Sequence, residues 1–238
     1  ILDSEKPTPV LVAWDAGKTT FRTEMYADYK GGRSKTPGEF IEQMPYFNVL
    51  LDAWGIPHYR LNQYEADDII GTLAKQGEAA GYEVVVLSGD KDLIQLADNN
   101  ITVKITTKGV TELVEYTPEV IFEKYGLTPE QIIDMKGLMG DSSDNYPGVT
   151  KVGEKTAVKL LQEFGSVEGI YEHVDEMKKS KLKENLINDK ELAFLSKKLA
   201  RINVESPLEI TLEDTLRKEQ NVDALMAFYK EMNFNSFQ

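Results

Sequence analysis

Eight carboxylates recur along the chain in four tight clusters, and their mutual repulsion constrains the fold more than any other feature. Carboxylates that a fold gathers together raise one another's pKa values unless a cation compensates them. Hard oxygen ligands favour Mg²⁺ or Mn²⁺, and a chain without cysteine and with two histidines offers few zinc ligands. The clusters, VAWDAG, YEADD, SGDKD and GDSSDN, contain Asp15, then Glu65, Asp67 and Asp68, then Asp90 and Asp92, and finally Asp141 and Asp144.

The charge balance bears on the choice of partner. The formal net charge of −13 argues against a nucleic-acid partner, because phosphate binding relies on lysine and arginine. Without the eight clustered carboxylates the charge is −5, and bound metal ions would make their neighbourhood attractive to phosphate. The total charge therefore does not exclude DNA.

Other features of the composition are those of an ordinary globular protein. The 238 residues, 41% of them hydrophobic, suffice for one large domain or for a main domain and a smaller one. No apolar run approaches the roughly 20 residues of a membrane span, and no signal peptide is recognisable, so we expect a cytoplasmic protein without a membrane partner. The absence of cysteine excludes disulfides and thiol catalysis. Because the chain starts without methionine, just ahead of VLVAW, we expect its natural N-terminus to lie upstream.

The first half of the chain alternates between strands and helices. Residues 10–14 and 84–88 are short apolar runs typical of strands buried on both faces, and 40–54 and 66–80 have helical spacing. This alternation predicts an α/β fold with a mostly parallel central sheet flanked by helices. A hairpin, ITVKIT and TELVEY, is expected at one side.

After residue 116 the pattern becomes helical. Thr-Pro pairs at 117–118 and 128–129 are typical of helix starts, and Gly126 and Gly165 of helix ends. We therefore place a domain boundary between an α/β region, 1–116, and a helical region, 117–238.

The positions of the acidic clusters indicate a shared site. Asp15 and Asp90 follow strands, and sites in α/β sheets form at the carboxyl ends of strands. Glu65 and Asp68 share one face of a helix start, with Asp67 beside them. Any single cluster could be a cap, a turn or a response to the helix dipole, but four clusters are harder to explain in that way. So many ligands suit two ions about 3.5 to 4 Å apart, which favours phosphodiester hydrolysis.

Two other segments indicate DNA binding. Residues 147–161 follow a helix and form a hairpin and a second helix, whose backbone amides could hold phosphate, although a purely structural connection would look similar. Residues 21–37 interleave cations with tyrosines, as phosphate contacts beside stacking platforms do, although a solvated amphipathic helix is the alternative. The candidate residues are Gly148, Lys151, Gly153, Lys155 and Thr156 in the first segment, and Arg22, Tyr26, Tyr29, Lys30, Arg33 and Lys35 in the second.

Six motifs, in this order, resemble the 5′ nuclease domain of bacterial DNA polymerase I, a member of the flap endonuclease superfamily. They are VAWDAGKTTFR, DYKGGR, YEADDIIGTLA, SGDKDLIQL, LMGDSSDNYPGV and VGEKTAVKLL, and the resemblance covers essentially the whole chain. It implies a 5′-3′ exonuclease and structure-specific flap endonuclease that acts on DNA with a 5′ flap, nick or 5′ end and on RNA primers. It also implies a polymerase portion in the same polypeptide, and we expect a monomer.

The resemblance assigns roles to the candidate residues. The eight carboxylates would hold two Mg²⁺ ions, with Mn²⁺ as a substitute, directly or through water. Arg22, Lys30 and Arg33 would belong to a helical arch at about 21–40, with Lys30 or Arg22 stabilising the scissile phosphate and Tyr29 stacking on a base. A helix-hairpin-helix at about 129–164 would grip the duplex.

The chain departs from the family pattern in two respects. The family has a further N-terminal strand with a metal-binding aspartate, which would lie upstream of Ile1. Lys151 stands where the family usually has glycine, and lysine would be strained there if the position requires a positive φ.

Two other functions are compatible with parts of the sequence. A phosphatase with an aspartyl nucleophile could use DKD, but such enzymes need paired aspartates directly after the first strand, which supplies only Asp15 here. A DNA-binding fragment with an incomplete, weakly active or inactive nuclease site is the non-enzymatic alternative.

Overall fold

The computed structural model describes residues 9–17, 19–34, 36–108 and 111–232. Its described strands form two small sheets. In the first, β1 (Val12–Ala13) and β2 (His58–Tyr59) pair in parallel, with Val12 opposite His58. In the second, β3 (Val84–Ser88) pairs in parallel with β4 (Ile101–Lys108), which pairs antiparallel with β5 (Glu112–Tyr116). The α/β fold and the hairpin are confirmed, whereas the expected single central sheet is two small sheets in the described part of the chain.

The environment of β3 differs from the expectation of a strand buried on both faces. Val86 is buried, but Val85 and Leu87 on the opposite face are 43% and 36% exposed. The buried face lies against α3 (Ala66–Ala79), where Val84 approaches Gly77 so closely that an added Cβ would lie 3.1 Å from its methyl carbon. Within the described part of the chain, a helix therefore covers one face of the strand and leaves the other exposed.

The helices begin and end where the sequence predicts. Thr117 and Thr128 are N-caps, each followed by proline, and Gln131 completes a capping box with Thr128. Gly126 and Gly165 are C-caps with positive φ. The remaining helices are α1 (Phe21–Met25), α2 (Gly38–Trp54), α4 (Pro118–Tyr125), α5 (Pro129–Met139), α6 (Glu154–Phe164), α7 (Val167–His173), α8 (Lys181–Asn188), α9 (Lys190–Ala200) and α10 (Val222–Glu231), with 3₁₀ turns at Lys91–Leu96, Val174–Glu176 and Glu213–Thr215.

One continuous hydrophobic core joins the sheet region to the helical region. Leu96 and Val103 from the first belong to the same buried cluster as Leu138 and Leu161 from the second. A boundary near residue 117 therefore does not separate two cores, and the proposed division stays a prediction.

A smaller cluster attaches the last helix to the first long one. Ala53 of α2 packs with Leu225 and Phe228 of α10, and the Trp54 indole N–H donates a 3.1 Å hydrogen bond to the Tyr229 hydroxyl. Among the described residues, no helix has the length and apolar character needed to cross a membrane.

Candidate metal and nucleic-acid site

The start of α3 carries the YEADD carboxylates, and Arg22 fixes two of them. The Arg22 guanidinium donates to both oxygens of Asp68, at 2.7 and 2.8 Å, and to one oxygen of Glu65. Its remaining donors reach the carbonyls of Leu199 and Arg201, so every N–H of the guanidinium is used. Arg22 is only 2% exposed, which makes it a buried structural cation.

Asp68 is saturated in the same way. Besides the two contacts from Arg22, its oxygens accept hydrogen bonds from the backbone N–H groups of Glu65 and Asn203, at 3.0 and 2.9 Å. A carboxylate offers about four acceptor positions, and all four are occupied. In this structure Asp68 holds Arg22 and caps α3, and its expected part in binding metal, directly or through water, stays a prediction.

The strand-end aspartates lie next to this helix start. Asp15, directly beyond β1, accepts a 2.7 Å hydrogen bond from the N–H of Ala66, the first residue of α3. Burial, followed by the charges of Asp90 and Glu65, raises the pKa of Asp67 to about 8. Asp67, Glu65, Asp15 and Asp90 therefore share one electrostatic environment, as the rule about strand ends predicts.

The GDSSDN loop is folded around Asp141. The backbones of Asp141 and Tyr146 exchange two hydrogen bonds, and one Asp141 oxygen accepts from the N–H groups of Ser143 and Asp144, at 2.8 and 3.2 Å. Close backbone contact closes the loop, because a Cβ on Gly148 would lie 2.3 Å from the Gly140 nitrogen. The loop thus directs the Asp141 and Asp144 carboxylates towards the 3₁₀ turn that carries Asp92.

Three carboxylates from two distant parts of the chain meet in a group that could hold a metal ion. One oxygen from each of Asp92, Asp141 and Asp144 lies within 4.8 Å of the others. Lys136 of α5 lies against this group, with its ammonium 2.6 Å from Asp141 and 3.2 Å from Asp92. The acidic triad Asp92, Asp141 and Asp144 has the hard oxygen donors that Mg²⁺ and Mn²⁺ prefer, and so it fits a divalent ion.

Two further cations come from the turn after α1. Lys30 forms an ion pair with Glu65, and Arg33 forms one with Asp144. The turn is held by its backbone as well, because the Lys30 N–H donates to the Asp144 carbonyl at 2.6 Å and the Asn145 amide donates to the Asp28 carbonyl at 2.8 Å. Lys30 has a φ of 55°. Such a left-handed backbone is uncommon for a non-glycine residue and is found more often at functional sites.

A small cavity connects the clusters. Its polar lining includes Arg22, Tyr29, Glu65, Asp67, Asp92 and Asp144. Tyr29 is buried there, its ring stacked on that of Tyr146 with 6.2 Å between centroids and its hydroxyl 3.3 Å from both Glu65 oxygens. Carboxylates from the second, third and fourth clusters thus line one space.

The pKa values of the three carboxylates in the acidic triad are shifted in different directions. Burial and the charge of Asp90 raise the pKa of Asp92 to about 6, although Lys136 opposes the shift. Burial also raises the pKa of Asp144 in spite of Lys30 and Arg33. In Asp141 the hydrogen bonds from Lys136 and Ser143 outweigh burial and lower the pKa to about 2. The region is short of positive charge, since the ion pairs of Arg22, Lys30, Arg33 and Lys136 balance only half of the eight carboxylates.

The predicted arch residues occupy other places than expected. Arg22 was expected in the arch beside the scissile phosphate, and Tyr29 stacked on a base, but both are buried and bound to Glu65. Lys30 and Arg33 lie at the cleft, where each forms an ion pair with a carboxylate. Tyr26 packs against the cluster that contains Tyr29. Lys35 lies outside the described residues.

The helix-hairpin-helix segment consists of α5, a turn and α6. In the turn the Val152 N–H donates a hydrogen bond to the Val149 carbonyl. Gly148 does not offer its N–H to a ligand, because it is buried and donates to the Ser196 hydroxyl at 2.9 Å. Gly148 is thus closely packed in this structure, and its expected part in gripping the duplex stays a prediction. Lys151, Gly153 and Lys155 are exposed and Thr156 is half-buried, and their binding to DNA stays a prediction.

The sequence interpretation missed two residues of the site. Lys136 was not singled out, because a lysine in the last turn of a helix is ordinarily explained by the helix dipole. The sequence did contain a signal for Lys136, because it lies five residues before Asp141. Gly140, the C-cap of α5, lies between them, and the chain turns back there. No local pattern indicates that Tyr146 stacks on Tyr29.

Comparisons with known proteins identify the family of the chain. Residues 1–126 match the model of the 5′-3′ exonuclease N-terminal resolvase-like domain, and residues 127–223 match that of the 5′-3′ exonuclease C-terminal SAM fold. The chain is 62% identical over 240 residues to DNA polymerase I of Lactococcus lactis subsp. cremoris, and it spans 27% of that protein's length.

Two bacteriophage T5 structures share the fold. The 5′-exonuclease with bound divalent zinc ions has a TM-score of 0.72 and 27% identity, over 97% of this chain and 85% of that one. The T5 flap endonuclease in a pseudo-enzyme-product complex with DNA and metal ions has a TM-score of 0.73 and 25% identity, over 100% of this chain and 87% of that one. The chain belongs to the 5′-3′ exonuclease family, whose members are nucleases that act on the phosphodiester bonds of DNA, and it matches the N-terminal portion of bacterial DNA polymerase I.

Proposed function

We propose that this chain hydrolyses DNA phosphodiester bonds as a divalent-metal-dependent 5′-3′ exonuclease and 5′ flap endonuclease. The observation that carries the proposal is the convergence of Asp92, Asp141 and Asp144, whose oxygens lie within 4.8 Å of one another. Carboxylates that compete for so little positive charge are stabilised by a multivalent cation. The metal-bound T5 5′-exonuclease, which shares the fold, supports the same conclusion.

The carboxylates fall into two sets that suit two ions. The acidic triad would hold one ion, and Glu65 and Asp67, with Asp15 and Asp90 beside them, would hold the other directly or through water. We propose Mg²⁺ for both, with Mn²⁺ as an alternative, because both are hard ions with oxygen ligands. Two divalent ions would also bring the four positive charges that the cations of the site do not supply.

The chemistry requires no covalent intermediate. When bound, the ions would activate a water molecule and stabilise the leaving oxygen of an in-line displacement. Lys30 lies beside Glu65, where its ammonium can offset negative charge that develops on the scissile phosphate. Arg22 and the Tyr29 hydroxyl both contact Glu65, and so they act as positioning residues that fix its orientation.

The substrate would be DNA with a 5′ flap, nick or 5′ end, together with RNA primers. The exposed side chains of Lys151 and Lys155 and the N-terminus of α6 at Gly153 would hold duplex phosphates without reading the bases. On the basis of the DNA polymerase I relatives we also propose a polymerase portion in the same polypeptide. A monomer and a location in the cytoplasm stay predictions from the sequence.

Cleavage of a labelled 5′-flap DNA with and without Mg²⁺ tests the proposal. We expect metal-dependent cuts near the junction, and we expect Asp92→Asn to lower the rate by at least about 100-fold, in line with the loss of a charge-stabilising group from an active site. Asp52→Asn is the matched control, because Asp52 pairs with His58 instead of a cation of the acidic clusters and its side chain is 72% exposed.

Other outcomes would favour a different function. Binding of the flap DNA without cleavage under any divalent ion would support a DNA-binding module. Hydrolysis of small phosphomonoesters, with DNA left intact, would support a phosphatase and refute the nuclease.

A further inference from the structure

Two cations already contact the three carboxylates that could hold a metal ion. Arg33 pairs with Asp144, and Lys136 bridges Asp92 and Asp141. Together these two side chains contact all three members of the acidic triad. A divalent ion would require oxygens of the same three carboxylates, so it competes directly with both cations.

Repulsion between the positive charges of Lys136 and a divalent ion is a second reason to expect this competition. An ion held by all three carboxylates would lie within a few ångströms of the Lys136 ammonium, which is 2.6 Å from the Asp141 oxygen. Like charges at such a separation repel strongly where the surroundings are partly desolvated, and the side chains of Lys136, Asp92 and Asp141 are 17%, 17% and 14% exposed. Repulsion therefore disfavours simultaneous binding of Lys136 and a divalent ion by the same carboxylates.

The two cations are free to leave, whereas Arg22 is not. The Arg33 side chain is 49% exposed and forms an ion pair with Asp144. The Lys136 ammonium lies at the end of a flexible stem and contacts the carboxylates of Asp92 and Asp141. The Arg22 side chain, by contrast, is 3% exposed and has two backbone carbonyls among its partners. The acidic triad is therefore paired with two cations that can exchange, whereas Arg22 is fixed in the interior.

We propose that Arg33 and Lys136 are exchangeable counter-ions, which a divalent metal ion displaces from the acidic triad and which then bind the phosphate backbone of the DNA. The proposal rests on the proposed nuclease function, because it takes DNA phosphate as the second ligand. Metal and DNA then assist each other's binding. The metal ion takes the carboxylates away from the two cations, and the DNA phosphates take the cations away from the carboxylates. By thermodynamic linkage the two effects are equal.

The backbone keeps the released Arg33 near the cleft. The turn that carries it stays tied by the Lys30 N–H to the Asp144 carbonyl and by Asn145 to Asp28, and neither bond involves the exchanging side chains. Lys136 is likewise fixed on α5. Displacement therefore moves two side chains from carboxylate to phosphate without unfolding the turn.

Mn²⁺ binding, followed by electron paramagnetic resonance in the absence of DNA, tests the competition. We expect Arg33→Gln and Lys136→Gln each to bind Mn²⁺ at least about fivefold more tightly than the unaltered chain, which is the lower end of usual coupling between sites. Arg201→Gln is a matched control, because Arg201 is 46% exposed and pairs with Glu130 instead of the triad. Its affinity for Mn²⁺ should be unchanged.

A second measurement tests the link to DNA. A 5′-flap DNA with phosphorothioate linkages at the junction should tighten Mn²⁺ binding to the unaltered chain, and less so to Arg33→Gln and Lys136→Gln. Equal or weaker Mn²⁺ binding by both variants, with circular dichroism unchanged, would overturn the exchange while leaving the nuclease proposal standing. Failure of the unaltered chain to bind Mn²⁺ at millimolar concentration would overturn both.

Discussion

Arg22 and Asp68 form a two-point ion pair in the interior, with N–O distances of 2.8 and 2.7 Å and side-chain exposures of 3% and 0%. The pair joins α1 to the start of α3. Arg22 also donates hydrogen bonds to the carbonyls of Leu199 and Arg201 at the end of α9. Three elements that are far apart in the sequence thus meet on one guanidinium. Because Glu65 shares this cation, the geometry of the cleft depends on it.

Removing Arg22 should strongly destabilise the fold. Arg22→Met would leave Asp68 and Glu65 buried without their cation, and we expect a loss of about 3–5 kcal/mol in the free energy of unfolding. Urea denaturation at pH 7 measures it. Arg201→Gln, which breaks an exposed pair with Glu130, should cost at most about 1 kcal/mol. A similar small loss for Arg22→Met would show that the buried pair does not contribute to folding.

The sequence allowed a good part of the cleft to be predicted, for reasons visible in particular residues. Asp15 follows a strand and Asp90 follows another, so general rules of α/β sheets bring them to the helix that carries Glu65. The same pattern could not separate Asp67, which faces the cavity, from Asp68, which is one residue later and saturated. That difference depends on Arg22, 46 residues away from Asp68.

Local sequence patterns could not predict which side chains the cations and tyrosines of the cleft contact. Lysine and arginine near tyrosines predict an exposed binding surface, and the exposure of Arg33 agrees with it. The nearest carboxylates, however, come from other elements, and they draw Lys30 and Arg33 inwards. Burial of Tyr29 likewise depends on the GDSSDN loop, which supplies Tyr146.

The metal-free protein should become less stable as the pH rises from about 4 to about 8. The pKa values of Asp67 and Asp92 are raised to about 8 and about 6, so the folded state keeps protons that the unfolded chain releases near pH 4. Stability falls with pH wherever the folded state binds more protons. Asp141, whose pKa is lowered to about 2, gives the opposite trend only below about pH 4.

Thermal unfolding in EDTA at several pH values between 4 and 8 measures this trend. Asp67→Asn should flatten the decline between pH 6 and 8, because it removes the group with the higher pKa. Saturating Mg²⁺ should reverse the trend, since metal binding favours deprotonated ligands. A metal-free protein whose stability rises steadily with pH would contradict the shifted pKa values.

Lys151 combines strain with charge, and two substitutions separate them. Its φ is 62°, which lysine tolerates poorly, so Lys151→Gly should raise the free energy of unfolding by up to about 1 kcal/mol. Lys151→Gln removes the charge and keeps the strain, so its stability should not rise. If Lys151 contacts phosphate, both variants should reduce the slope of log K for duplex DNA against log salt by about 0.9. An unchanged slope would exclude Lys151 from the interface.

Gly148 should tolerate no side chain, because two independent features exclude one. Its φ is 60°, and an added Cβ would lie 2.3 Å from the Gly140 nitrogen and 2.6 Å from the Met139 carbonyl carbon. We expect Gly148→Ala to cost at least about 2 kcal/mol of unfolding free energy. Mn²⁺ binding should weaken as well, since the displaced backbone belongs to the loop that carries Asp141 and Asp144. Gly153→Ala is the control within the same motif, because its Cβ would meet nothing within 4 Å, and it should cost less than about 1 kcal/mol. Equal losses for the two variants would mean that the close approach of Gly140 and Gly148 does not hold the loop in place.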